Sequence, residues 1–248
     1  MFRKVTSYKT PGMQVYRPFE VLAEQPHVLI AGCTGSGKSV TLNGIITTVI
    51  ATHSPATAQF AFIDPKRVEL IQYAGLPHCI GYVTESSETQ ELLQFAVNET
   101  EHRYKTMQRN REKNYSGADL YIVIDELADI MITNKKGCLP LLQRIAAIGR
   151  AAKVHLIVCT QCVLVQFLPS SIRCNIPVTV ALRTANKHES QLLINQAGCE
   201  LLPDPKRTGT GYAIIRDGSD IEKTRIHKYA DSMIDYLIEY WTSKRCIA

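Results

Sequence analysis

Residues 30–40 read IAGCTGSGKSV, and this stretch decides which fold the sequence predicts. It matches the pattern G-x-x-x-x-G-K-[ST], whose fixed positions are Gly32, Gly37, Lys38 and Ser39. The apolar segment HVLIA precedes it at 27–31, and apolar residues recur with helical spacing after it. A strand, a glycine-rich turn and a helix in this order predict a loop whose backbone N–H groups bind the phosphates of a nucleotide.

The predicted phosphate loop supplies side chains as well as backbone donors. Lys38 can reach the β- and γ-phosphates as a point charge, and the Ser39 hydroxyl can ligate Mg²⁺. The residues expected to bind the nucleotide are Gly32, Cys33, Thr34, Gly35, Ser36, Gly37, Lys38, Ser39 and Val40.

A second motif, YIVIDE at 121–126, is an apolar strand followed by two acids. Asp125 would hold Mg²⁺ through its water shell, and Glu126 would orient or deprotonate the attacking water. Either acid alone is also typical of a helix cap before LADIM at 127–131. Capping does not explain why both acids follow a buried strand, so the sequence favours a catalytic pair.

Two further residues are candidates for the same chemistry. Gln161 ends the strand VHLIVCTQ at 154–161, so in a parallel sheet it would lie at the edge of Lys38 and Asp125 and sense the γ-phosphate. Hydrolysis at such sites usually needs another positive charge, often an arginine from a neighbouring subunit. Arg150, just before that strand, is the candidate, with a solvated cation at a helix end as its alternative.

The rest of the chain alternates strands and helices. Near-continuous apolar strands separated by helices predict an α/β fold, with a mostly parallel central sheet that helices cover on both faces. The other predicted strands are FAFID at 60–64, LYIVID at 120–125 and IPVTVALR at 176–183, and the later helices are 86–110, 126–133, 139–152 and 187–196. Near the end, GYAIIRDGSDIEKTRIHKY predicts a β-hairpin that turns at Asp217-Gly218, and the closing helix is SMIDYLIEYW.

The helix predicted at 86–110 has one apolar face. Residues of that face are Leu93, Val97, Thr100, Tyr104 and Met107. Residues expected to point away from it are Glu99, Glu101, Arg103 and Lys105.

Composition limits the setting of the protein. A chain of 248 residues can form one α/β domain, and its net charge of +5 would suit a polyanion. The apolar runs are too short to span a bilayer, and the first residues lack the apolar core of a signal peptide. The eight cysteines have no disulfide-framework spacing, which predicts reduced thiols in the cytoplasm. Cys159 and Cys162 form a CxxC without a second ligand pair, so they are expected to be strand-end thiols rather than zinc ligands.

Six segments, taken in order, carry a resemblance to a known family. They are the glycine loop, FIDPKRVEL at 62–70, NETEHRYKTM at 98–107, IVIDELADIM at 122–131, GRAAKVHLIVCTQ at 149–161 and NIPVTVALR at 175–183. Over residues 26–228 the chain resembles the motor domain of the FtsK/SpoIIIE DNA translocases. The resemblance implies a RecA-like core that assembles as a homo-hexameric ring, uses ATP and Mg²⁺, and pumps double-stranded DNA.

The resemblance also assigns roles to matching residues. Lys38 and Ser39 correspond to Walker A residues, Asp125 and Glu126 to Walker B residues, and Gln161 to a sensor. Arg150 stands in the place of the arginine finger, which favours that role over a solvated cation. Residues 26–248 would form the motor, and residues 1–25 an N-terminal extension or adaptor. Compact relatives resemble coupling ATPases of mobile elements, which implies a membrane-anchored or relaxosome partner in conjugation or chromosome segregation.

The chain departs from the family pattern near the expected DNA channel. The family's TQRPS is TQCVL here, with Cys162 in the place of an arginine, and its DSR is residues 189–191, Glu-Ser-Gln. Candidates for phosphate contacts are Lys135, Lys136 and Lys187, although a lysine in such a position is more often a solvated surface residue than a contact. Two alternatives therefore stay open: a related ring ATPase that exports protein, and a nucleotide-dependent scaffold.

Overall fold

Eight strands form one sheet in the computed structural model, which describes residues 25–245. They are β1 (His27–Ala31), β2 (Ala58–Ile63), β3 (Cys79–Val83), β4 (Asp119–Ile124), β5 (Val154–Thr160), β6 (Val178–Ala181), β7 (Gly211–Asp217) and β8 (Asp220–Ile226). Their order is β3-β2-β4-β5-β1-β6-β7-β8. Strands β1 to β6 pair in parallel, and β7 and β8 add an antiparallel hairpin at one edge.

Helices cover both faces of this sheet. They are α1 (Lys38–Thr52), α2 (Ser86–Asn110), α3 (Leu127–Thr133), α4 (Lys135–Ala152), α5 (Ser170–Arg173), α6 (Lys187–Ile194), α7 (Pro205–Thr208) and α8 (Asp231–Arg245). Leu29 of β1 packs into one apolar cluster with α2, α3 and α4, whereas Val28 and Ile30 pack into another with α1 and α8. The predicted α/β fold with a mostly parallel sheet, a C-terminal hairpin and a closing helix is therefore confirmed.

Some local predictions differ from the structure. Strand β3 was not among the predicted strands, because it lies at the sheet edge, is half-exposed and contains Gly81. The hairpin turns at Gly218-Ser219 rather than Asp217-Gly218, since Asp217 pairs with Asp220. Helix α4 begins at Lys135 instead of 139, because the Asn134 side chain accepts a hydrogen bond from the backbone N–H of Gly137 and caps it.

The prediction that Arg103 points away from the apolar face of α2 is wrong. Its side chain is buried, and the guanidinium donates hydrogen bonds to the backbone carbonyls of Ala118, Ala152 and Lys153. Carbonyl oxygens at the end of α4 thus draw a charged side chain into the interface between the two helices.

The predicted N-terminal extension, residues 1–25, lies outside the described residues except for Gln25, and so does Cys246. Within the span from 25 to 245, no helix combines the length and the apolar character needed to cross a bilayer.

Candidate nucleotide-binding site

The glycine-rich loop connects the carboxyl end of β1 to the start of α1. Gly35 and Gly37 have φ values of 78° and 103°, in the region where side chains with a Cβ are strained. The backbone N–H of Cys33 donates to the carbonyl of Arg183, 2.8 Å away, which fixes the loop to the segment that follows β6. The loop therefore curls at the amino-terminal end of a helix, the position that suits phosphate.

Lys38 is the first residue of α1 and is largely buried. Its Nζ donates to the carbonyl oxygens of Gly32 (3.0 Å) and Cys33 (3.3 Å), so the side chain folds back across the loop. Burial lowers the pKa of its ammonium. Carbonyl oxygens do not neutralise an ammonium, so a phosphate is the kind of ligand that this position favours.

The Ser39 hydroxyl contacts Glu69, whose carboxylate interacts electrostatically with Asp125. The hydroxyl donates to Oε1 of Glu69 over 2.6 Å. Asp64 follows β2 and accepts a hydrogen bond from the backbone N–H of Leu70 at its Oδ2, while its Oδ1 is buried without a hydrogen-bond partner. Burial, together with the carboxylates of Asp64 and Glu69, raises the pKa of Asp125 to about 6. Carboxylates and a hydroxyl are the oxygen donors that a hard divalent cation such as Mg²⁺ prefers, although no group of three or more acids, histidines or cysteines within residues 25–245 is placed to hold a metal ion by itself.

Glu126 is almost completely buried at the end of β4. Its Oε1 accepts hydrogen bonds from the hydroxyl of Thr160 (2.9 Å) and the backbone N–H of Gln161 (3.0 Å). Its Oε2 lies 3.2 Å from Nζ of Lys66. Glu126 also caps α3 through the backbone N–H of Ala128, at 3.4 Å. The capping alternative therefore describes one of its contacts, and the shorter ones join it to the end of β5.

Gln161 lies between the phosphate loop and Glu126. Its backbone N–H donates to Glu126, and its side-chain Oε1 accepts a hydrogen bond from the Thr34 hydroxyl, 2.8 Å away. Because β1, β4 and β5 pair in parallel, the carboxyl-terminal ends of these three strands lie next to one another. The structure thus brings Lys38, Asp125 and Glu126 together with Gln161 at these ends, and the role of each stays a prediction.

Arg150 lies near the amino-terminal ends of the parallel strands, on the side of the sheet away from the phosphate loop. It is exposed in the last turn of α4, which leads into the amino-terminal end of β5. The seven residues of β5 separate the amino-terminal ends of the strands from their carboxyl-terminal ends by about 20 Å. The structure therefore does not bring Arg150 to the phosphate loop of its own chain.

The three candidate DNA-binding lysines are exposed at the starts of helices. Lys135 and Lys136 begin α4, and Nζ of Lys135 donates to the carbonyl of Gln166, 3.1 Å away in the loop after β5. Lys187 begins α6. Lys135 and Lys136 lie at the end of α4 opposite to Arg150, about 20 Å along that helix.

Three residues near the site were not among the predicted ones. Lys66 and Glu69 belong to the segment at 62–70, which contributes to the family resemblance but was given no role in the site. Its position directly after a buried strand could have indicated that it lies near the phosphate loop. Lys206 lies over the loop: a Cβ added at Gly35 would be 2.8 Å from its Cε. Nothing in the polar segment around Lys206 indicates this approach.

Comparisons with known proteins identify the family of the chain. The FtsK/SpoIIIE family matches residues 12–122. DNA translocase FtsK of Staphylococcus epidermidis is 34% identical over 244 residues, which cover 88% of this chain and 30% of that protein. DNA translocase SpoIIIE of Bacillus subtilis is 35% identical over 205 residues, covering 73% of this chain and 26% of that protein. The chain therefore spans less than a third of the length of these curated relatives.

Solved structures share the fold. The pCW3 conjugation coupling protein TcpA, in its monomer form with ATPγS, superposes with a TM-score of 0.76 at 23% identity, covering 88% of this chain and 66% of that one. Thermomonospora curvata EccC (ATPases 2 and 3), in complex with a signal sequence peptide, gives a TM-score of 0.68 at 25% identity, covering 85% and 38%.

Proposed function

Since the chain belongs to the FtsK/SpoIIIE family, we propose that it hydrolyses ATP to move double-stranded DNA. One observation carries the proposal: the buried carboxylate of Glu126 accepts a hydrogen bond from the backbone N–H of Gln161, beside the start of the phosphate loop. That link joins a candidate base to a residue that contacts the loop through Thr34. A change at the γ-phosphate can therefore be passed to the end of β5.

The residues at these strand ends divide the chemistry among them. Lys38 neutralises phosphate charge, and Ser39 and Asp125 would hold Mg²⁺. When bound, that ion would neutralise further phosphate charge. Glu126 orients the attacking water and accepts its proton, while Gln161 responds to the loss of the γ-phosphate.

The placement of Arg150 supports an assembly of several chains. About 20 Å separates it from its own phosphate loop, so it can stabilise transition-state charge only at a nucleotide bound by a neighbour. Repeating this head-to-tail contact closes a ring. A homo-hexamer with composite sites between adjacent chains is the assembly that we propose.

The cargo proposal rests on the family and on exposed charge. Lys135, Lys136 and Lys187 are exposed and would meet DNA phosphates without reading bases. We assign residues 26–248 to the motor and residues 1–25 to an adaptor, in a cytoplasmic protein with a membrane-anchored or relaxosome partner. Conjugative transfer and chromosome segregation are both processes that suit such a motor.

The proposal is tested by measuring ATP turnover of the assembled protein at low salt with and without linear duplex DNA. We expect a several-fold stimulation, of about fivefold or more, since a DNA motor hydrolyses ATP fastest when it holds its cargo. Glu126→Gln should bind ATP with unchanged affinity and abolish turnover. A hexamer that hydrolyses ATP but is indifferent to DNA would contradict the cargo, and full activity of Glu126→Gln would remove Glu126 from the chemistry.

A second candidate is export of protein, which one part of the structure favours. Leu164 and Val165 are 47% and 55% exposed in the loop after β5, next to the Cys162 that replaces a family arginine. Apolar loop residues suit an unfolded polypeptide better than phosphates. Stimulation of turnover by an extended polypeptide, in preparations where DNA has no effect, would select this candidate. A scaffold, by contrast, would bind ATP and show no stimulated turnover with either cargo.

A further inference from the structure

Arg103 is a charged residue that the ATP chemistry does not use. Its side chain is 3% exposed on α2. Nη1 donates to the carbonyls of Ala118 (2.9 Å), Ala152 (2.9 Å) and Lys153 (3.0 Å). Nε donates to Oε1 of Glu99 over 2.7 Å, and the guanidinium stacks 4.5 Å from the centre of the Tyr115 ring. Nε, Nη1 and one flat face of this group therefore have partners within the protein.

Two of these carbonyls belong to the end of α4. A helix leaves its last carbonyls without intrahelical donors, and the partial negative charge there favours a cation. Ala152 is the last residue of α4, and Lys153 follows it with a φ of 54°. Arg103 therefore binds the carboxyl end of the helix whose last turn carries Arg150.

Tyr104, the next residue of α2, binds the same turn from the preceding side. Its hydroxyl donates to the carbonyl of Ile148 over 2.9 Å. Gly149 lies so close to β5 that an added Cβ would be 2.3 Å from the carbonyl oxygen of Val154. The backbone from 148 to 153 is thus held on both sides of Arg150, although the Arg150 side chain itself is exposed.

Packing alone does not require an arginine at position 103. An apolar side chain would fill the space without the cost of burying a charge, but it could not donate to three carbonyls. Helix ends otherwise fray, and a frayed last turn would let Arg150 point in many directions. Holding that turn has value if Arg150 must meet a target outside its own chain.

We propose that Arg103 and Tyr104 are positioning residues: they fix the last turn of α4 so that Arg150 projects toward the nucleotide bound by the adjacent chain. This inference rests on the proposed action of Arg150 at a neighbouring site. The segment NETEHRYKTM lies far from the phosphate loop of its own chain, and the proposal gives it a role at the nucleotide site of the adjacent chain. Neither residue touches the nucleotide.

The test exploits the division of each site between two chains. Arg103→Met should keep its nucleotide affinity and lose turnover by about tenfold, because the misplaced Arg150 fails its neighbour. Mixed before assembly with Glu126→Gln chains, which are inactive but carry a well-placed Arg150, it should regain activity. About one quarter of the interfaces in an equal mixture would pair an intact site with an intact Arg150, so turnover should exceed that of either preparation alone. A residue that merely supports its own site would not be rescued.

Two controls separate the possible failures. Arg150→Ala mixed with Glu126→Gln tests the proposed function itself, and absence of rescue there would reject an arginine supplied by the neighbour. Rescue in that mixture but not in the Arg103→Met mixture would overturn the positioning role alone. Arg144→Met removes another contact between α2 and α4, the 2.6 Å ion pair with Glu101, and should leave turnover unchanged.

A milder variant covers the case in which Arg103→Met does not fold. Tyr104→Phe removes one hydroxyl and its bond to Ile148, and it should lower turnover by about threefold. In an equal mixture with Glu126→Gln, half of the Tyr104→Phe sites would face an intact Arg150, so turnover per Tyr104→Phe chain should about double. Wild-type turnover of Tyr104→Phe, or a loss that Glu126→Gln chains do not rescue, would contradict the proposal.

Discussion

The ammonium of Lys66 lies 3.2 Å from Oε2 of Glu126, so a half-exposed lysine binds a buried carboxylate beside the phosphate loop. Partial burial works against the charge of Lys66, but Glu126, Asp129 and Asp125 outweigh it and raise the pKa of the ammonium. Lys66 therefore stays charged and donates to Oε2, Thr160 donates to Oε1, and the backbone N–H of Gln161 lies within hydrogen-bond distance of both oxygens. The direction of the Glu126 carboxylate depends on all of these donors.

Lys66→Met should lower kcat by about tenfold and leave nucleotide affinity within about twofold of the wild type. Glu126 would lose the charged donor on Oε2 and keep the backbone N–H of Gln161 there, and a misdirected base costs more in the transition state than in binding. Steady-state turnover and equilibrium nucleotide binding measure the two effects separately. Arg67→Met is the matched control, because Arg67 is also a cation of this loop but pairs only with the exposed Glu85. An unchanged kcat for Lys66→Met would show that Glu126 does not need Lys66.

Glu69→Gln should raise the Mg²⁺ concentration for half-maximal turnover by about tenfold, since partners of a metal ligand set its orientation. The Ser39 hydroxyl donates to Glu69 over 2.6 Å, which leaves its lone pairs free for a cation. Nucleotide binding without Mg²⁺ should not change. The readout is a Mg²⁺ titration of turnover together with Mn²⁺ binding followed by electron paramagnetic resonance.

Glu85→Gln controls for the loss of one negative charge on the same edge of the sheet, and Ser39→Ala provides the larger expected effect. Equal Mg²⁺ dependence of Glu69→Gln and the wild type would place Glu69 outside the metal site.

Apolar pattern and strand order account for what the sequence predicts well. Strands β1, β4 and β5 are buried on both faces, so their sequences are apolar almost throughout and their carboxyl ends share an edge. Residues that follow those ends, such as Asp125 and Gln161, can therefore be assigned to one site from the amino-acid sequence alone. Edge strand β3 gives a weaker pattern because water covers part of it.

Contacts between distant segments account for what the sequence does not predict. Arg103 looks like a solvated residue in its helical pattern, yet its acceptor Ala152 lies 49 positions away. The approach of Lys206 to Gly35 likewise depends on how the chain returns after β6. Helical periodicity describes which face a residue occupies but not which carbonyl groups lie opposite it.

Lys206→Met should weaken nucleotide binding by about fivefold, because an ammonium over the phosphate loop adds a charge-assisted contact. Its Nζ is 3.2 Å from the point where a Cβ at Gly35 would lie. At saturating ATP the turnover should be close to that of the wild type, since Lys206 is not part of the proposed chemistry. Arg207→Met removes the same charge from the next, exposed residue and should bind nucleotide normally. Equal affinities of the two variants would reduce the effect of Lys206 to its net charge.

His27→Asn should make the stability of the protein less sensitive to acid. His27 is fully buried on β1, and its Nδ1 accepts a hydrogen bond from the backbone N–H of Leu156. Burial, with His155 nearby, lowers the pKa of His27 to about 3 from the ordinary 6.5, while the carbonyl of Ala146 opposes the shift. Below pH 6.5 the unfolded chain therefore binds a proton that the folded protein does not bind. The free energy of unfolding then decreases as the pH is lowered, by up to about 1.4 kcal/mol per pH unit.

Asparagine keeps an acceptor near the position of Nδ1 and does not titrate. Between about pH 6.5 and 4.5 the His27→Asn variant should therefore lose about 2 kcal/mol less stability than the wild type. Its stability at neutral pH should be lower than that of the wild type, because the ring is missing. Urea unfolding followed by circular dichroism at several pH values measures this difference, with His102→Asn on the exposed side of α2 as the control. Parallel curves for His27→Asn and the wild type would mean that His27 is not the group that couples folding to pH.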